Sequence, residues 1–157
     1  MDGFWLVPAS VAIAYAFLAL LLVAVDSAAG PTGVSMGFDG DADASRDILS
    51  TLAASLITVA GVAFSLTIVV LVLVSSQFSP RAVRSMLADK VNQVVAGSFV
   101  GIFAYCLIVL SAVRDATASQ TGFVPAMSVT VAIVLALGAL ALLVVFVHHM
   151  GRSIQAS

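Results

Sequence analysis

The sequence predicts an all-α integral membrane domain of four transmembrane helices, and three observations carry that reading. Of 157 residues, 62% are hydrophobic and 9% charged, with a mean hydropathy of +1.20. A soluble domain carries roughly a quarter charged residues, so a water-soluble globule is excluded. The apolar residues fall in four runs, each long enough for the roughly 20 helical residues that cross a bilayer core. The runs lack the short alternating segments of a membrane β-barrel. A net charge of −2 leaves no basic face, so no nucleic-acid partner is expected.

The first predicted helix covers about 4–25. Ser27-Ala28-Ala29 resembles a signal-peptide cleavage site, but Met1-Asp2-Gly3 carries no basic residue. The apolar run also exceeds the roughly 7–15 residues of a signal core, so a retained helix is expected. Pro8 falls in its first turn, where a missing N–H costs little.

The second helix is expected over about 48–76, with Ser45 as N-cap and Asp47 near the positive end of the helix dipole. Ser79-Pro80 marks its end or a bend. The third and fourth helices are expected over about 91–113 and 124–150. No internal repeat is visible, which argues against an inverted-repeat transporter.

Loop charge sets the expected orientation. Segment 26–47 holds five Asp against Arg46, and its Gly30-Pro31-Thr32-Gly33, Gly37 and Gly40 make it irregular. Segment 77–90 holds Arg81, Arg84 and Lys90, half the positive charge of the chain. The positive-inside rule makes 26–47 an acidic external loop and 77–90 a basic cytoplasmic one, with both termini cytoplasmic.

The second helix is the most patterned element. At about 100° per residue, Thr51, Ser55, Thr58, Ser65 and Ser76 fall within an arc of about 80°, with Ala54 and Gly61 beside them. Val62, Val69 and Val72 interrupt this stripe, and Thr67 lies opposite. Hydroxyls in lipid bond back to their own helix, cross to a neighbour, or line a wet cavity. Helix packing and a hydrated pore-lining face are therefore both open.

Small residues also recur at helical spacing. Gly97 and Gly101 form a GxxxG continued by Ala104, and Ser128, Ala132 and Ala136 repeat every fourth residue. Such faces allow close backbone approach, and packing within one chain is the expected use.

Signals for chemistry are weak. Asp39, Asp41 and Asp43 match the start of a calcium loop, but Ala44 and Ser50 replace its glycine and bidentate Glu. A solvated acidic loop is the better reading. His148 and His149 point about 100° apart and so suit interfacial anchoring more than metal ligation. Cys106 lies within an apolar run and is expected to be buried and inert. No charged residue lies mid-span, as a proton-coupled carrier normally needs. With no nucleophile–base constellation or nucleotide loop, no enzyme activity, cofactor or metal is expected. Gln77, Pro80, Arg81 and Arg84 are read as a cytoplasmic elbow. Its two arginines would reach lipid phosphates at about 1 kcal/mol each, or a cytoplasmic domain.

Several stretches carry a family resemblance: Arg46–Thr51, Ile57–Ser65, Ser75-Ser76-Gln77-Phe78-Ser79-Pro80-Arg81, Asn92–Val95, Gly101–Cys106, Phe123-Val124-Pro125 and His148–Gln155. Together they resemble the bacterial predicted-membrane-protein family called domain of unknown function 2254, with the Ser75–Arg81 stretch the most specific. The resemblance implies a bacterial inner-membrane location and a four-helix membrane portion followed by a long soluble region. That region is expected to be absent from the 157 residues here, and the family name implies no activity.

Two functional classes follow. One is a gated homo-oligomeric pore lined by the second helix through Thr51, Ser55, Thr58, Ser65 and Ser76, with Val62 and Val69 as its constriction. The other is a non-catalytic anchor or assembly subunit for a soluble C-terminal region or partner protein. Membrane lipids surround either one.

Overall fold

The structure is a computed structural model that describes residues 3–29, 38–77, 90–115 and 122–155. Four helices make up nearly all of it: α1 (Gly3–Ala29), α2 (Ala42–Gln77), α3 (Lys90–Ala112) and α4 (Ala126–Gln155). All four are long and apolar enough to cross a membrane. There is no strand among the described residues. A single bridge pairs Arg114 with Phe123 through two N–H···O bonds of 2.9 Å, closing the link between α3 and α4.

Three helices overrun the expected bounds by several residues at one end, most clearly at the start of α2, while α4 begins two residues later than expected. Asp41, rather than Ser45, caps that helix: its Oδ1 accepts the Ala44 N–H at 2.8 Å. Ser45 is a fully buried helical residue whose hydroxyl donates to the Asp41 carbonyl at 2.8 Å. Asp and Ser cap about equally well, so neighbouring candidates are decided by which one the core needs buried. With 36 residues, α2 is about 54 Å long at a rise of about 1.5 Å per residue. That exceeds the roughly 30 Å of a hydrocarbon core.

The helices alternate in direction, with α3 in the middle. Half of the apolar window of α3 is buried in the chain, against 6% for α1. Phe99, Tyr105, Cys106 and Val109 of α3 are buried and form the centre of the core.

On one side, α1 packs across the GxxxG. A Cβ on Gly97 would stand 2.8 Å from both Cα and O of Pro8, and one on Gly101 would stand 3.1 Å from Cα of Ala12. Only glycine admits backbones this close. On another side, Ala53, Ala60 and Ala63 of α2 are buried against the same core, and Ala132, Ala139 and Phe146 of α4 complete it. Lipid tails are as apolar as leucine, so close packing of small residues holds such helices together where water exclusion cannot. The outer surface is accordingly oily, with Leu6, Ile13, Phe17, Val134 and Val144 all exposed.

At one end of the bundle, polar bonds tie the helix termini together. Asp26 of α1 accepts from Ser128 of α4, Arg46 of α2 pairs with Asp115 after α3, and the Phe38 N–H donates to Thr130 Oγ1 at 3.0 Å. This is the acidic end of the molecule.

Candidate functional site

The buried and exposed residues of α2 separate into two opposite faces. Leu49, Ala53, Leu56, Ala60 and Ala63 are buried against the core. Thr51, Ser55, Thr58 and Ser65 are exposed, together with Ala54 and Gly61. On a helix of 3.6 residues per turn, these two sets lie about half a turn apart. The hydroxyl stripe therefore points away from its own bundle. Val62 and Val69 lie on the same outer face, 64% and 59% exposed. A Cβ on Gly61 would meet nothing within 4 Å, so no described part of the chain stands against it.

Hydroxyl hydrogen bonding on this face is local. Ser55 Oγ donates to the Thr51 carbonyl at 2.7 Å, and Thr58 Oγ1 donates to the Ala54 carbonyl at 2.8 Å. Each proton is thereby committed to the helix backbone, and the oxygen lone pairs are what the residue presents outward. Thr67, off the stripe, makes the same bond to Ala63 at 2.8 Å from a half-buried position.

Asp47 is also exposed, one helical turn before Thr51, and so heads the stripe at the acidic end. Its i,i+4 spacing to Thr51 is the sequence signal that places it on the stripe line. The adjacent Arg46 is turned elsewhere: its Nη1 lies 2.6 and 2.7 Å from the two Asp115 carboxylate oxygens and 3.6 Å from Asp43.

The remaining expected residues are less informative. Ser76 and Gln77 form the last residues of α2. Pro80, Arg81 and Arg84, the expected elbow, lie outside the described residues.

Beside the stripe, α2 and α4 splay apart around an open groove of about 310 Å³. Phe99 of α3 lines it, with Leu52, Leu56 and Val59 on the α2 side and Ile133 and Leu140 on the α4 side. Ser55 is its polar member. Its described lining holds no His, Cys, Asp, Glu, Lys or Arg. Among the described residues no three His, Cys, Asp or Glu come together as a metal site. Cys106 is buried in α3.

The chain therefore presents an embedded four-helix bundle, and comparison with known families agrees. The model of a family described as "Predicted membrane protein (DUF2254)" matches residues 1–157. The chain belongs to this family. Similar curated proteins from Mycobacterium bovis (uncharacterized protein Mb1321c) and from Mycobacterium tuberculosis H37Rv (uncharacterized protein Rv1290c) are each 40% identical over 121 residues. The aligned part is 75% of this chain and 22% of each relative, so this DUF2254 chain spans about a fifth of their length. No solved structure matches it.

Proposed function

We propose that this DUF2254 chain is the membrane domain of a gated homo-oligomeric pore in the bacterial inner membrane, with α2 of each copy facing a shared axis. One observation carries the reading: the hydroxyl stripe of α2 is displayed on the outside of the bundle, opposite the face that packs on α3. A hydrated lining has to be free of its own bundle. Because α3 fills the centre of a single copy, a water-filled path requires a ring of three or more. In this arrangement the acidic end is external, both termini are cytoplasmic, and Val62 and Val69 form apolar rings that close by dewetting.

The test is reconstitution of the full-length protein in liposomes, with a Thr58→Cys variant for cross-linking. Disulfide-linked dimers at Thr58 together with ion flux are expected. A monomer in detergent and membrane alike, with silent liposomes, overturns the pore.

A second reading has its own support. The hydroxyls of Ser55 and Thr58 are satisfied by their own backbone, so this face can lie in lipid without a partner. The relatives also extend far beyond the matched region. On that reading the bundle is a non-catalytic anchor for a soluble C-terminal region or a partner protein. Monomeric, silent bundles would favour it.

A further inference from the structure

We infer that Asp47 is the selectivity-determining residue of the α2 lining and that the permeant species are small inorganic cations. The inference rests on the pore reading and deepens it.

Three observations meet at this residue. The first is position: Asp47 is exposed on α2 and stands one turn before Thr51, on the line that continues through Thr58 and Ser65. Any ring that brings the hydroxyls to an axis brings Asp47 to the mouth of that axis. Rings of carboxylates at a pore mouth concentrate cations and repel anions.

The second is the fate of the nearest positive charge. Arg46 is adjacent in sequence, yet its guanidinium is held by Asp115 at 2.6 and 2.7 Å, with its Nη2 3.4 Å from the Val113 carbonyl. It is turned towards the end of α3, away from the stripe, and its charge is balanced there. The positive end of the α2 dipole is likewise met by the Asp41 cap.

The third is the polarity of the lining below. The hydroxyl protons of Ser55 and Thr58 are committed to carbonyls of their own helix. The oxygens that remain are acceptors, which suit a cation and its water. Asp39 is also exposed at this end and adds to the same field, while the exposed Asp43 lies 3.6 Å from Arg46.

The experiment measures reversal potential for the full-length protein in planar bilayers under a steep KCl gradient. Wild type is expected to reverse towards the potassium equilibrium potential. Asp47→Asn should move the reversal towards zero, and Asp47→Lys should move it to the chloride side. Elution in detergent identical to wild type confirms that these variants assemble. As an independent route, Asp47→Cys is modified after assembly with a cationic thiol reagent, buried Cys106 being protected. Modification should likewise shift reversal towards chloride. Cation-selective currents unmoved by both Asp47→Lys and thiol modification overturn the inference and leave the pore standing. Absence of flux in wild type and every variant overturns the pore reading, and this inference with it.

Discussion

The Asp26 carboxylate of α1 accepts two hydrogen bonds from Ser128 near the start of α4, one from the backbone N–H at 2.9 Å and one from Oγ at 2.6 Å. A side chain 102 residues away thus serves a helix N-terminus, where backbone donors lack partners and negative charge is favoured. Tyr105 of α3 completes the junction by donating to the Ser128 carbonyl at 2.9 Å. Three helices are joined through one residue.

Asp26→Ala should destabilise the bundle by about 2 kcal/mol. It removes a cap, typically about 0.5–2 kcal/mol, and orphans the fully buried Ser128 hydroxyl. Ser128→Ala should cost less, about 1 kcal/mol, because the N–H bond to Asp26 survives. Unfolding titrations in mixed micelles check the order. Equal stability of Asp26→Ala and wild type would show that the junction contributes nothing to the fold.

Glycines of the bundle should separate sharply by position. Gly97→Ala and Gly101→Ala each drive a Cβ into α1, where the Pro8 backbone and the Tyr15 side chain already stand. Overpacking of this kind costs about 1–3 kcal/mol each, and it should loosen α1 first. Gly61→Ala meets open space and improves helix propensity, so the fold should tolerate it or gain slightly. Protease protection of α1 and thermal unfolding in detergent distinguish these outcomes.

The four spans and a close-packing face at Gly97 and Gly101 were legible because each depends on a local pattern, a long apolar run or glycines four apart, whereas α1 as the partner of that face came only from the fold. The Asp26–Ser128 junction was not, since nothing within either segment points across the bundle. Ser45 against Asp41 shows a smaller limit: both residues cap well, and only burial of Ser45 against the core decides. The outward direction of the α2 stripe was also hidden. A helix in lipid can be as oily outside as inside: Ile57 and Ile68 are exposed while Leu49 and Leu56 are buried. Apolarity alone therefore cannot tell core from perimeter, and the small residues Ala53, Ala60 and Ala63 mark the packed face instead.

The topology is testable because the native thiol is silent. Cys106 is buried in α3, so a membrane-impermeant maleimide should leave wild type unlabelled. Asp39→Cys, on an exposed residue at the acidic end, should label from the periplasmic side. Ser85→Cys, in the basic segment, should label only after the membrane is opened. Labelling of both from outside would sink the orientation.

Gating is expected to reside in Val62 and Val69. Both stand on the stripe line and are more than half exposed, with Ser65 between them. Seven residues separate them, about 10 Å along the axis at roughly 1.5 Å per residue. Two apolar rings at that spacing, with only one hydroxyl ring between, can expel water from a narrow path without any steric plug. Val62→Ser and Val69→Ser should each raise resting ion leak in liposomes, and the double variant should raise it further. Val62→Leu should lower any voltage- or tension-evoked flux by thickening the apolar ring. Val144→Ser supplies the control: that residue is 69% exposed on α4, away from the α2 stripe. Leak that rises with Val62→Ser and stays flat with Val144→Ser marks a lining. Equal leak from both would mean a disturbed bilayer, and no leak from either, across membrane potentials and tensions, would leave α2 as a lipid-facing helix of an anchor.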